Sequence, residues 1–360
     1  MTDYSEITQR MNEINKHRPF EGESLKQLKN YYKIQTTWSS NAVEGNTISL
    51  SETQMILENG ITIHGHTINE IHECLGHGEA YEYMFSLINT RKITEENIKK
   101  MHKLFASNIK NIPFPGEYRD KSKTYVRITG SDYSYPDWKD VPEKMADFVD
   151  WLDSVRKENV FHPVELAAEA HRKMIYIHPF PDGNGRVTRL VMNTILLQEH
   201  YLPISITPKI RNQYIKLLEN GRLEPQKFTD FISNLELKEV KEFMRIMHIE
   251  TVEEKELKNR LGESYISTIL QNCKNMPIEK SIDKATKDIY TSSGMAKSDF
   301  KKLISDFLVD KAIFDRKDLT ESIKKSLIEK NITEIKEEKH ISKKSVNKSI
   351  SDDDGMSISD

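Results

Sequence analysis

The 360-residue sequence predicts a mainly α-helical protein with one sizeable core and a small second unit. Three observations carry that expectation. Apolar residues recur at three- and four-residue steps along most of the chain, β-type alternation is clearest in one stretch near Val126, and Pro179, Pro181, Gly183 and Gly185 form a knot that breaks the helical pattern. Four segments follow from the pattern: N-terminal helices over 1–110, a core over 111–250, a small unit over 251–330 and a polar tail over 331–360.

In the first segment the spacing predicts helices over 24–40, 51–59, 69–89 and 94–108. Ser51 and Thr94 stand at helix-opening positions, each followed by acidic residues. Residues 61–66 read as a short strand or loop. His64, His66, His72, Cys74 and His77 invite a zinc reading, but His72 and His77 are five apart, off one helix face, and no CxxC pair exists, so ordinary helix histidines are expected. Over 118–135 the alternation of Val126 and Ile128 with Tyr125, Arg127 and Thr129, closed by Gly130-Ser131-Asp132, predicts a β-hairpin. A helix over 141–155 turns Met145, Phe148 and Leu152 inward. Another over 163–177 carries Leu166, Ala167, Ala170, Met174 and Ile177 on one face. The last helices of the core begin near Arg186, with Leu190, Val191, Ile195 and Leu196 inward, and at Arg211.

The knot joins the helix that ends at 177 to the one that begins near 186. It reads His178-Pro179-Phe180-Pro181-Asp182-Gly183-Asn184-Gly185-Arg186, with Arg189 three residues on. A helix N-terminus leaves about four N–H groups unpaired and carries roughly half a positive charge, so a glycine-flanked turn there can close around an anion. Arg186 and Arg189 lie in or beside the first turn, where cations oppose the macrodipole. A bound polyphosphate accounts for that broken rule. Asp182 is the hard oxygen donor that Mg²⁺ prefers, and His178 is the candidate general base for a hydroxyl.

At these residues the chain resembles the Fic family, whose signature HPFx(D/E)GNGRxx(R) is matched at every fixed position by 178–189. The resemblance implies a Fic-fold helical core with a β-hairpin flap, and transfer of AMP from ATP to a hydroxyl side chain of a target protein. It assigns His178 as base, Asp182 as Mg²⁺ ligand, and Gly183, Asn184 and Gly185 as the anion cradle. Arg186 would reach the β-phosphate and Arg189 the γ-phosphate, with Phe180 anchoring the loop in the core. Trp38 to Asn46 resembles the inhibitory helix of regulated members, written (S/T)xxxE(G/N), with Ser40 first and Glu44 as the acid in a segment near 36–46. Glu44 pairing with Arg189 would occupy the place of the γ-phosphate, because a carboxylate competes with a phosphate for one guanidinium. No separate antitoxin chain would then be needed. The hairpin, with Val126, Arg127, Ile128 and Thr129, looks like the flap that docks a target segment main chain to main chain. Tyr214 and Asn220 fall on the helix that lines the adenine pocket in relatives, with core packing the equal alternative.

In the small unit, residues 250–259 read as a charged helical linker and 291–308 as the turn and second helix of a helix-turn-helix or winged-helix-like fold. A DNA-reading role would set Lys297, Lys301 and Lys302 on phosphates, whereas a docking or homodimer-supporting role needs only the fold. A formal net charge of −3 shows no basic field toward nucleic acid or membrane. Two cysteines argue against a disulfide scaffold, and the lack of a leader-like or long apolar run points to the cytoplasm. The expected activity is protein adenylyl transfer with ATP and Mg²⁺, autoinhibited by Glu44. The alternatives are a hydrolase of the same fold that removes AMP, and a DNA-binding regulator whose core senses nucleotide.

Overall fold

The helical periodicity becomes fourteen α-helices and no strand among the described residues, which in this computed structural model are 3–61, 64–110, 112–121, 134–220, 222–311, 313 and 316–331. The chain divides into two compact units between Ile249 and Glu250.

The first unit holds α1 (Ser5–Asn15), α2 (Gly22–Val43), α3 (Leu50–Asn59), α4 (Ile68–Ser86), α5 (Glu95–Ala106), α6 (Val141–Lys157), α7 (Pro163–Ile177), α8 (Asn184–Gln198), α9 (Arg211–Asn220) and α10 (Pro225–Met247). At its centre α7 packs on α8, which also meets α2, α4 and α5, while α10 covers α7. Between Asn184 and Leu196 every residue of α8 except Gly185 is buried. A helix buried all round is a core element, and any charge on it needs partners from its neighbours.

Two helices of this unit are absent from the expectations above. Ile7, Met11 and Ile14 of α1 are buried at helical spacing, and α1 packs on α10, where Phe228, Ile232, Val240 and Phe243 turn inward. Both signals are ordinary amphipathic periods. The opening of α3 is also corrected from Ser51 to Ser49. The Ser49 hydroxyl accepts the Glu52 N–H at 3.3 Å while the Glu52 carboxylate accepts the Ser49 N–H at 2.8 Å, a reciprocal pair that needs the three-residue spacing. α4 stops at Ser86, three residues short of the expected end.

The second unit holds α11 (Val252–Asn272), α12 (Ile278–Ser293), α13 (Lys297–Asp310) and α14 (Glu321–Asn331) around Tyr265, Ile269, Ile282, Phe300, Phe307 and Leu327. The stretch 250–259 is no linker. It forms the first turns of α11, capped by Thr251, whose hydroxyl accepts the Glu254 N–H at 3.1 Å, and its Lys258 is buried between Glu250 and Asp310. Partnered by two carboxylates, that lysine enters a structured unit despite its charged surroundings. α12 and α13 are joined through Gly294, whose φ of 70° gives the left-handed turn. The winged-helix expectation is narrowed to helices alone among the described residues. Lys297, Lys301 and Lys302 lie exposed on the first turns of α13. The flap residues Val126, Arg127, Ile128 and Thr129 and the tail 332–360 lie outside the described residues.

Candidate active site

His178 ends α7 in a left-handed conformation, φ 52° and ψ 59°, so the chain leaves the helix sharply and enters the loop. Three groups hold that loop against the core. The Phe180 ring is fully buried and stacks on His102 with centroids 3.9 Å apart. Burying such a ring contributes about 1.5–3 kcal/mol. His102 accepts the Gly116 N–H at its Nδ1, 2.8 Å away, which leaves Nε2 to donate to the Asp182 carbonyl at 3.0 Å. Arg119, 2% exposed, donates Nε to the His178 carbonyl at 2.8 Å and Nη2 to the Pro136 carbonyl at 2.6 Å, and its own N–H reaches the Pro179 carbonyl at 2.8 Å. Asn184 closes the turn from within, its side chain bonded to both the N–H and the carbonyl of Phe180 at 2.8 Å.

The start of α8 is left open. Gly183, at φ 78°, is its N-cap residue and brings no side-chain cap. No hydrogen bond is described from the main-chain N–H of Asn184, Gly185 or Arg186 among the described residues. Over this open end lies a carboxylate. The Glu44 side chain, reaching from the C-terminal end of α2, accepts Nη2 of Arg189 at 2.8 Å and packs so closely on Gly185 that a Cβ there would collide with it. Arg189 is buried and further donates Nε to the Ser40 hydroxyl at 3.0 Å, Nη2 to the Ser40 carbonyl at 2.8 Å and Nη1 to the Tyr214 hydroxyl at 3.4 Å. Tyr214 in turn is bonded to Nε2 of His171 at 3.0 Å. Arg186 donates Nη1 to Glu73 of α4 at 2.8 Å and stands 4.5 Å over the Phe105 ring. The two arginines that oppose the macrodipole are thus neutralised by two carboxylates from other helices.

Electrostatics set the protonation states. Burial pushes His178 down to about 4, Arg119 adding to the shift, and its Nδ1 faces the Ile175 carbonyl at 3.4 Å. Its imidazole is neutral at pH 7, the form a general base needs. The Tyr135 ring stacks on it at 4.1 Å. Burial works to raise the Glu44 carboxyl, but Arg189, Arg186 and Arg211 outweigh it and hold the group below the usual carboxylate range. Asp182 is 61% exposed, with one oxygen accepting the Gly183 N–H at 2.5 Å.

Of the residues singled out in the sequence, His178, Asp182, Gly183, Asn184, Gly185, Arg186 and Arg189 form one end of α8 and its loop, and Ser40, Glu44 and Tyr214 join them. Asn220 does not. It is exposed at the end of α9, where its carbonyl accepts the N–H groups of Leu223 and Glu224. Sequence reading missed Glu73 and His102 as site residues, and placed Arg119 only at the start of the segment 118–135 that resembles the flap. Nothing in the local spacing of Glu73 and His102 marks them, although a histidine on an otherwise apolar helix face is a polar group in need of partners. The histidines weighed for zinc go elsewhere: His77 is bonded to Thr37 at 3.0 Å, and His66 to Thr47 at 3.1 Å and Glu52 at 3.2 Å.

A glycine-lined helix start, faced by two buried guanidiniums and a neutral imidazole, is an arrangement whose chemistry suits an anion. Residues 92–196 match the Fic/DOC family. It is 36% identical over 215 residues to the protein adenylyltransferase Fic of Drosophila grimshawi, a match covering 59% of this chain and 43% of that protein. The chain therefore spans less than half the length of that relative. Among solved structures it resembles a Fic-domain-containing signaling protein from Bacteroides thetaiotaomicron, with TM-score 0.61, 27% identity, and 66% of this chain and 94% of that one covered. It also resembles Fic-1 from C. elegans, with TM-score 0.59, 27% identity, and coverage of 67% and 71%. No helix among the described residues is long and apolar enough to cross a membrane.

Proposed function

We propose that this protein is an adenylyltransferase that moves AMP from ATP to a serine, threonine or tyrosine hydroxyl of a target protein, and that Glu44 holds it inactive. The observation that carries the reading is the Glu44 carboxylate seated on Arg189 and Gly185, an anion of the chain's own in the place an incoming phosphate needs. The donor set suits a triphosphate: first-turn N–H groups without a partner among the described residues, Arg186 with Nε buried and unpartnered, and Arg189. The exposed Asp182 carboxylate suits Mg²⁺, which when bound would neutralise charge on the phosphates.

In the reaction so read, the target hydroxyl oxygen forms a bond to the α-phosphorus, the bond to the β-phosphate oxygen breaks, and pyrophosphate leaves. His178 takes the hydroxyl proton. Arg119 and His102 hold the loop so that His178 and the cradle keep their separation, which is where positioning enters the rate. The first-turn amides and Arg186 face the charge that develops on the leaving group. Both cysteines are free, which suits a reducing cytoplasmic setting.

The test is incorporation of α-labelled ATP into the protein and into a cell lysate by the wild type, Glu44→Gly and Glu44→Gly/His178→Ala. Label that grows in the single variant and vanishes in the double supports the reading. Release of AMP from a pre-adenylylated target, without incorporation in any variant, would replace it with the hydrolase.

A further inference from the structure

The arginine cradle has a support behind it that local sequence does not mark. Glu73, on α4, accepts Nη1 of Arg186 at 2.8 Å with one carboxylate oxygen, and its other oxygen accepts Nδ2 of Asn46 at 2.9 Å. Asn46 stands two residues after Glu44. Asn41, three residues before Glu44, donates to the main-chain carbonyl of Glu73 at 3.2 Å. One carboxylate is therefore bonded on one side to the start of α8 and on the other to the segment that carries Glu44.

We propose that Glu73 is a positioning residue for the nucleotide: it fixes the Arg186 guanidinium with donors left over for a phosphate and ties that arginine to the Glu44 segment. The proposal rests on the nucleotide-binding reading given above. Glu73 and Glu44 differ in what they leave free. Arg189 gives Nε and one N–H of Nη2 to Ser40 and Nη1 to Tyr214, and Glu44 takes the second N–H of Nη2, a donor that an anion would use. Glu73 takes only Nη1 of Arg186. Nε stays buried without a partner, and Nη2 lies 3.6 Å from Asp182. An arginine that is 5% exposed and opposes a helix dipole needs a counter-charge. Without Glu73 the nearest carboxylate on the same helix start is Asp182, and closing that gap would occupy both the phosphate-binding guanidinium and the exposed carboxylate. Glu73 keeps the two apart.

The experiment places Glu73→Gln and, separately, Asn46→Ala in the full-length Glu44→Gly chain. ATP binding is measured by calorimetry in excess Mg²⁺, with KM and kcat for label incorporation and the melting temperature of each variant. Glutamine keeps the shape and one acceptor but not the charge. The expected result is about a tenfold weaker ATP Kd and higher KM for Glu73→Gln, the loss of one charge-assisted bond, with kcat and melting temperature little changed. Asn46→Ala is expected to shift Kd in the same direction by a smaller factor. An unchanged Kd in Glu73→Gln overturns the proposal. So does a loss that tracks a fall in melting temperature, since that marks a merely structural group. If the Glu44→Gly parent binds ATP yet transfers no label, the adenylyl-transfer reading fails while the calorimetric comparison still decides the role of Glu73.

Discussion

Replacing Glu44 by glycine removes one partner from Arg189 and leaves three contacts: the Ser40 hydroxyl at 3.0 Å, the Ser40 carbonyl at 2.8 Å and the Tyr214 hydroxyl at 3.4 Å. The guanidinium keeps its place, and Nη2 becomes available to a phosphate. A hydrogen bond between charged groups is worth about 1.5–3 kcal/mol. The Glu44 side chain is 34% exposed, so solvent screening puts this contact in the lower part of that range, about 1.5–2 kcal/mol. Released from competition, nucleotide engagement and hence transfer should rise about ten- to thirtyfold. The assay is the initial rate of α-labelled ATP incorporation per mole of protein, with and without His178. The melting temperature should fall by no more than about 4–8 °C for a unit of this size. Equal rates in wild type and variant would refute the argument, because the carboxylate would then not stand in the path of the substrate. A rise that survives His178→Ala would show that label arrives by another route. Because the arginines hold the Glu44 carboxyl below its ordinary value against the opposing effect of burial, the contact is complete above the carboxylate range. It is lost only as pH falls through the depressed value, so inhibition should not relax across neutral pH.

Three further outcomes are expected. Burial pushes His77 and His171 down to about 3, and His102 and His178 down to about 4, from 6.5. The unfolded chain therefore binds more protons than the folded one below pH 6.5, and stability falls as pH drops from there. Calorimetric melting at about pH 5 should lie below that at about pH 7, and a flat profile would contradict the buried, neutral state of these rings. Arg119→Ala should destabilise the protein by about 3 kcal/mol, since it strips the part-buried His178 and Pro136 carbonyls and the buried Ile177 carbonyl of their donor. Circular-dichroism melts should show this together with loss of labelling in the Glu44→Gly background, and an unchanged melt would mean the loop is held otherwise. In the second unit a Cβ at Gly262 would overlap the Phe307 ring, so Gly262→Ala should cost about 1–3 kcal/mol of that unit's stability. Hydrogen exchange in α11 and α13 reads it, and unaltered protection there would show that the ring has room to move.

The ends of α7 and α8 illustrate what local chemistry makes legible. Proline at N1, an apolar face ending at Ile177, and a proline-glycine knot are short-range signals, and the helices run where they point. α1 and α10 are equally legible in period, whereas the stretch 250–259 reads as a charged helix whose packing into the second unit local charge does not reveal, because one partner of Lys258 lies about fifty residues on. Lys258 is buried only because Glu250 and Asp310 meet it. The same holds at the site. The resemblance of Ser40 and Glu44 to an inhibitory segment can be read from the sequence, but the company of Glu73 and His102, and the bonds of Arg119 to the His178 loop, cannot.

The chain's own residue order decides that the protein is helical, that two arginines stand at the start of a buried helix, and that glycines keep that start open, since helical period, turn preference and the macrodipole act within a few residues. Packing decides which carboxylates answer those arginines and which groups pin the loop. Arg186 meets Glu73 and Arg189 meets Glu44 across long separations in sequence, and a buried charge is satisfied by whatever the folded neighbours bring within hydrogen-bonding distance.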